Sequence, residues 1–264
     1  MTRIIAIANQ KGGVGKTTTA VNVGACLAVA EKRVLLVDVD PQGNATSGLG
    51  IERHADAPTL YDVVIGQAEI ETAIRPTRLP FLEIVASDLD LYGAEIELVD
   101  VPAREYRLRD ALARVADRYE VILVDCPPSL GLLTVNTLAA ASSVLVPIQS
   151  EYYALEGLSQ LLSTVRQVQR NLNPRLEIEG LVLTMTDARL NLSKQVAAEA
   201  REYFGDKVYR TTIPRNVRLS EAPGFGKPIL LYDALSAGAE AYMNLTKEMM
   251  HAWRTQPESD SVRV

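Results

Sequence analysis

Several things are scarce in this sequence, and each shortage excludes a class of protein. Only two cysteines, Cys26 and Cys126, occur in 264 residues. Both sit in apolar segments, which argues against a disulfide scaffold and for a reducing compartment. Neither has a second cysteine or a histidine placed to complete a metal site. No run of 18 apolar residues exists, so no helix is expected to span a membrane. The opening MTRIIAIANQ breaks off into a glycine-rich turn where a signal peptide would continue, and it is expected to be a strand. Aromatic residues make up 5% and apolar residues 47%, so the core is expected to be aliphatic. The net charge of -6 provides no global positive field for nucleic acid, although it leaves room for a local basic patch.

What is present is an alternation of short aliphatic runs and helical patterns. Residues 4–8, 33–40, 81–87, 120–128, 143–150 and 178–184 read as strands, most of them apolar on both faces. Residues 16–30, 105–118, 131–141 and 154–172 carry apolar residues at three- and four-residue spacing, and a last helix is expected from about 233 to 251. This succession predicts a three-layer α/β fold, with a mostly parallel central sheet and helices on both faces. One domain is expected over 1–254, followed by a polar tail, 255–264. The irregular stretch 50–80, with Pro58, Pro76 and Pro80, is expected to decorate the sheet edge.

The segment IIAIANQKGGVGKTTT reads as strand, glycine-rich turn and helix, the context that a phosphate-binding loop requires. Gly12, Gly13 and Gly15, with Val14 between them, let backbone N–H groups approach phosphate oxygens. The helix starting near Lys16 adds its positive end. Lys16 is expected at the β- and γ-phosphates, the Thr17 hydroxyl on Mg²⁺, and Thr18 near the α-phosphate. The common motif places a glycine five residues before the Gly-Lys pair, and here that position is Gln10. Lys11, at the loop entrance, has no evident job within one chain; these residues alone leave open a solvated flanking lysine or a functional one.

Carboxylates supply the other half of the site. Asp38 and Asp40 end the second strand, and Asp125 ends VILVD, where open α/β sheets gather ligands. Such positions beside a phosphate loop suit Mg²⁺ and an attacking water, with Asp125 as an indirect metal ligand. Neither His54 nor His251 is placed for catalysis, so hydrolysis is expected to be slow and to rest on carboxylate, lysines, metal and backbone donors.

Together KGGVGKTT, DVDPQGNAT (38–46) and VDCPPSLG (124–131) resemble the deviant-P-loop ATPases. VLTMTDARLNLS (182–193) and YRTTIPRNVRLSEAPGFGKPI (209–229) resemble the ParA/Soj chromosome- or plasmid-partitioning branch in particular. The resemblance implies a P-loop nucleotide hydrolase fold, hydrolysis of ATP with Mg²⁺, and an ATP-dependent face-to-face homodimer. It implies that Lys11 crosses to the partner's phosphates, that Gly12 stays small so the two loops can meet, and that Asp40 orients the attacking water. It places Asp38 near the metal or the lysine network, and Pro214 and Asn216 near the adenine. Adenine specificity itself comes from the resemblance alone. A ParB-like centromere-binding protein is implied as the accelerator of hydrolysis, and a cytoplasmic, nucleoid-associated location follows.

Residues 189–227 carry eight Lys/Arg against four Asp/Glu, a local excess of +4 in a chain of -6. Composition alone fits ordinary solvated helices as well as a basic face. The resemblance assigns nonspecific double-stranded DNA binding to Arg189 and Arg218, to which Lys194, Arg201 and Arg215 are added from the charge pattern. With no helix-turn-helix segment ahead of the first strand, sequence-specific operator binding is not expected. A MinD-like membrane-positioning ATPase is the first alternative, but the ending NLTKEMMHAWRTQPESDSVRV has too few basic residues around its apolar ones for an interfacial helix. The second is a P-loop metabolic enzyme, for which no dedicated substrate pocket is legible.

Overall fold

The computed structural model describes residues 2–52, 57–151, 154–187 and 189–255. His54 and tail residues 256–264 lie outside them. Seven strands form one sheet: β1 (Arg3–Ile7), β2 (Val34–Asp38), β3 (Ile74–Pro76), β4 (Leu82–Val85), β5 (Val121–Asp125), β6 (Ser143–Gln149) and β7 (Glu177–Thr184). Their order is β3-β4-β2-β5-β1-β6-β7. Every pairing is parallel except β3 against β4. The six expected strands are all present. Five of them end earlier than the apolar pattern; for β2 and β5 this is because residues 39–40 and 126–128 belong to loops rather than to the sheet.

The helices are α1 (Lys16–Val29), α2 (Asn44–Gly48), α3 (Leu60–Ile65), α4 (Ile70–Ala73), α5 (Leu91–Glu97) and α6 (Arg107–Ala113). They continue as α7 (Leu132–Ala140), α8 (Ala154–Asn171), α9 (Asn191–Phe204), α10 (Val217–Glu221), α11 (Ile229–Tyr232) and α12 (Ala237–Thr255). The helix expected over 105–118 is shorter than that and is flanked by 3₁₀ turns at Arg104–Tyr106 and Ala116–Arg118. Since β5 begins at Val121, the chain has only a tight turn in which to reverse. The stretch 50–80 does decorate an edge: β3 pairs with β4 there as the outermost strand.

Strand periodicity sorts the core. Val34 and Leu36 of β2 join Ile5, Ile7, Leu123 and Leu145 in a cluster under α1 and α12. The alternate residues Leu35 and Val37 face the other way, with Ile122 and Val124, against α3, α5, α6 and α7. A third cluster extends that second face under α8 and α9, through Val144, Val146, Leu181 and Leu183. A parallel strand buried on both sides must be apolar on both sides, which is why these strands read as continuous aliphatic runs.

The carboxyl ends of the strands open on one side of the sheet. There, the loop before α11 meets the end of α2 backbone to backbone. Gly226 and Gly50 both have positive φ, 60° and 71°, and a Cβ on Gly226 would lie 2.6 Å from the Gly50 Cα. A Cβ on Gly12 meets nothing within 4 Å. Gly226→Ala is therefore expected to lower stability by about 1–3 kcal/mol in urea denaturation, through strain and overpacking. Gly12→Ala is expected to stay within about 1 kcal/mol of the wild type.

Candidate functional site

The turn between β1 and α1 is pinned by Asn9. Its amide donates to the Pro147 carbonyl at 2.7 Å, and its Oδ1 accepts the Lys11 N–H at 3.0 Å. Gly13 and Gly15 hold positive φ of 74° and 87°, so the chain reverses and enters α1 directly at Lys16. No side chain caps the start of α1. Its first N–H groups, with the positive end of the helix dipole, are thereby left for an anion. Val14 is buried, and its carbonyl accepts the Thr184 hydroxyl at 2.8 Å, which ties the loop to the end of β7.

Lys16 is only 7% exposed, and its ammonium donates to the Lys11 carbonyl at 3.2 Å. Burial lowers its pKa, an effect opposed by Asp125, Cys126 and Asp40. A partly desolvated cation that reaches only one neutral carbonyl is short of counter-charge, as a phosphate ligand must be.

The three carboxylates divide the work differently from the sequence expectation. Asp38 and Asp125 stand side by side in the register of β2 and β5, and both are fully buried. Asp38 Oδ2 accepts the Thr46 hydroxyl at 2.7 Å and the Thr46 N–H at 2.8 Å, while Oδ1 accepts the Asp40 N–H at 3.2 Å. Burial, with a smaller contribution from Asp40, still pushes its pKa up to about 6 against those hydrogen bonds. Asp38 was expected near the metal or the lysine network; in the single chain both of its oxygens take part in holding the loop that carries Asp40. Asp40 itself is 8% exposed, and its Oδ1 accepts the Gln42 N–H at 2.9 Å.

Asp125 is the opposite case. Neither of its oxygens makes a hydrogen bond of good geometry. Burial and the neighbouring Asp38 raise its pKa well above the ordinary carboxylate value, while the Thr17 hydroxyl and Lys16 are close enough to pull it back in part. Among the described residues no group of three or more His, Cys, Asp or Glu side chains could hold a metal alone. A divalent cation here must draw further ligands from water and phosphate, and that suits magnesium, which keeps several waters and dehydrates reluctantly. The unpartnered carboxylate, the Thr17 hydroxyl and the uncapped helix start fit Mg²⁺ with a nucleotide.

A cavity of about 780 Å³ opens over this group. Lys16, Thr17, Asp40 and Pro128 are among the residues that line it, with Leu219, Pro223 and Lys227 from later in the chain. Thr18 also lines it. Pro214 and Asn216, expected beside the base, are not on its wall. Pro214 is bridged to Thr186, and the Asn216 Oδ1 accepts the Leu219 N–H at 3.3 Å as the N-cap of α10. These two residues hold the segment in place, and the residues that follow them form the wall. The sequence carried no signal for that displacement, because the whole segment shares one motif. Gln42 and Tyr92, joined at 2.7 Å, also line the cavity and were missed.

Lys11 is not idle in the single chain. Its ammonium lies 2.8 Å from Glu151 Oε2, a partner 140 positions away that sequence spacing could not reveal.

The basic candidates are all exposed. Arg189 grips Asp187 with two hydrogen bonds, at 2.9 and 2.7 Å, and Arg218 lies 3.0 Å from Glu221 and 3.5 Å from Asp233. Lys194 and Arg201 stand on α9. The Arg215 N–H donates to the Thr186 carbonyl at 3.1 Å, which brings its loop against the one that carries Arg189.

An AAA domain model matches residues 2–178. The chain is 60% identical over 249 residues to the sporulation initiation inhibitor protein Soj of Bacillus subtilis, covering 94% of this chain and 98% of that one. It is 57% identical over 250 residues to the chromosome partitioning protein ParA of Caulobacter vibrioides, covering 94% of each. This chain belongs to the ParA/Soj family. Its fold likewise matches a solved Mycobacterium smegmatis structure described as cobyrinic acid a,c-diamide synthase with bound ADP and magnesium. That match has a TM-score of 0.85 and 36% identity, over the full length of both chains. As a member of the ParA/Soj family the protein is an ATPase whose cofactors are ATP and Mg²⁺.

The unpartnered Asp125 carboxylate gives a stability prediction. Its folded pKa lies above the unfolded value, so the folded chain prefers it protonated, and the penalty appears as pH rises past about 4. Asp125→Asn is expected to stabilise the nucleotide-free protein by about 1–3 kcal/mol at pH 8, with the gain shrinking toward pH 4, while Mg²⁺-dependent ATP hydrolysis is lost. Urea denaturation at the two pH values, alongside a phosphate-release assay, measures both effects.

Proposed function

We propose that the protein is an ATP-switched DNA-partitioning ATPase. In this reading ATP joins two subunits, the dimer binds nucleoid DNA without reading its sequence, and slow hydrolysis, accelerated by a ParB-like centromere-binding protein, releases it. The observation that carries the reading is the buried, unpartnered Asp125 beside Lys16, Thr17 and an uncapped helix start, in a chain of this family.

Lys16 and the loop N–H groups from Gly12 to Thr18 bind the phosphates. Thr17 and Asp125 would hold Mg²⁺, which when bound would supply charge neutralisation at the phosphates. Asp40 orients the attacking water. Its backbone is tied to Asp38 and its side chain to the Gln42 N–H, so its position follows the loop that Thr46 fixes. Lys11 reaches the phosphates of the second subunit, where it stabilises developing charge as an arginine finger does. Gly12 meets nothing in its own chain, which fits a demand for smallness that a second chain imposes.

The DNA face is built from Arg189, Lys194, Arg201, Arg215 and Arg218. Single-subunit affinity is weak, since Arg189 and Arg218 must exchange acidic partners for phosphates, and a dimer doubles the face. The location that follows is cytoplasmic and nucleoid-associated.

Two experiments test this reading. In DNA co-sedimentation with ATP, ADP or no nucleotide, only the ATP state should pellet strongly, and Arg218→Glu should lower that affinity at least about tenfold without preventing ATP-driven dimerisation. Equal pelleting in all three states would sink the switch. In the second experiment, Lys11→Ala and Lys16→Ala chains are mixed. Random pairing makes half the dimers mixed, each with one complete site, so hydrolysis should recover to about a quarter of wild type. Activity no higher than that of the separate variants, with mixed dimers demonstrated, removes the trans role of Lys11.

A further inference from the structure

Lys11 and Glu151 form an ion pair in which both partners are held from behind. The Lys11 backbone is fixed by Asn9, which is itself bonded to Pro147. The Glu151 N–H donates to the Gln149 carbonyl at 2.8 Å, and the Gln149 side-chain amide donates to Glu151 Oε1. The remaining oxygen, Oε2, receives the Lys11 ammonium at 2.8 Å. The lysine and its partner are therefore anchored to the same carboxyl end of β6, and the contact is preorganised. The Lys11 hydrogen bond is also the largest influence holding the Glu151 carboxyl below its usual pKa, with the Arg215 charge acting in the same direction.

The same loop also satisfies its other lysine internally, since the Lys16 ammonium donates to the Lys11 carbonyl. In the nucleotide-free chain, then, one residue of the loop entrance, Lys11, is engaged at both its ends: its carbonyl by Lys16 and its ammonium by Glu151.

We propose that Glu151 is a positioning residue for the ATPase reaction: in the lone subunit it holds Lys11 back from the shared site, and a triphosphate presented by a second subunit draws Lys11 off it. The proposal rests on the reading that Lys11 acts across the dimer. Its physical scale follows from exposure, because the lysine and glutamate side chains are 37% and 46% accessible. A pair this exposed shifts an equilibrium by about two- to fivefold at most. One carboxylate of that strength yields to a triphosphate carrying several charges, so the latch delays dimerisation without preventing it. It also suppresses pairing of subunits that present no triphosphate. Two latches open for each dimer, so the effect on the dimer dissociation constant is squared, to about four- to twenty-fivefold.

Glu151→Gln keeps the side-chain volume and the hydrogen bond to Gln149 while removing the charge that holds Lys11. With a nonhydrolysable ATP analogue, light scattering over a dilution series should show the variant's dimer dissociation constant falling about four- to twenty-fivefold below wild type. Two readouts separate a latch from a general disturbance of the loop. Fluorescent-ATP affinity, measured at protein concentrations below dimerisation, should stay within about twofold, since a residue acting in trans adds nothing to its own subunit's site. Thermal stability should change little, as expected for an exposed pair. An unchanged or raised dissociation constant overturns the proposal, a raised one meaning that Glu151 works inside the dimer. A Lys11→Ala control keeps this failure apart from failure of the underlying reading. If Lys11→Ala is impaired in dimer-dependent hydrolysis while Glu151→Gln leaves dimerisation unshifted, the latch alone is wrong. If Lys11→Ala hydrolyses ATP like the wild type, the trans role falls as well.

Discussion

The site depends on a constraint that is electrostatic rather than steric: two carboxylates, Asp38 and Asp125, are paired in register on adjacent strands and fully buried. Like charges placed so close and so dry cannot both ionise without help. The chain provides different help to each. Asp38 accepts three hydrogen bonds, from the hydroxyl and N–H of Thr46 and from the Asp40 N–H, whereas Asp125 has only Lys16 and Thr17 near it to offset its charge. One carboxylate therefore organises the protein and the other waits for the ligand. A cation bound beside Asp125 would relieve that electrostatic deficit. A residue that merely stabilised the fold would be expected to have its oxygens filled.

The Asp38 network also links the parts that must move together. Thr46 donates to Asp38 and in turn accepts the Ser87 N–H at 3.0 Å, so the loop bearing Asp40, the start of α2 and the end of β4 share one hydroxyl. Gln42 in that loop reaches Tyr92 on α5. Any contact that shifts α5 or the end of β4 is thus mechanically connected to Asp40. Such a chain of hydrogen bonds gives an outside partner a physical route to the reaction.

Much of this was legible in the residues, and the reasons differ by element. The β1–loop–α1 unit reads clearly because glycine spacing, lysine and a following helix pattern all constrain the same few positions. Asp125 reads because it ends a run of aliphatic residues that can only be a buried strand. Asp38 read equally well as a strand-end carboxylate, but its role did not, since Thr46 lies in a loop whose path no periodicity predicts. Pro214 and Asn216, expected near the adenine, are not among the residues lining the cavity, which this segment reaches from Leu219 onward. The Lys11–Glu151 pair was invisible for a simpler reason: its partners come from opposite halves of the chain, and only the β1–β6 pairing brings them together. The short strand β3, three residues next to prolines, carries too little pattern to announce itself.

The position of β1 in the sheet has a consequence for how the protein is made. Among the described strands β1 pairs with β5 and β6, and with none nearer to it in sequence. The phosphate loop that follows it is pinned to Pro147 and Val14 is tied to Thr184. During synthesis the phosphate loop leaves the ribosome well before Pro147 and Thr184, so it lacks those supports until the later strands have followed. At ribosomal speeds that delay is on the order of 10 s or more. The loop therefore takes its native shape only once most of the sheet is in place.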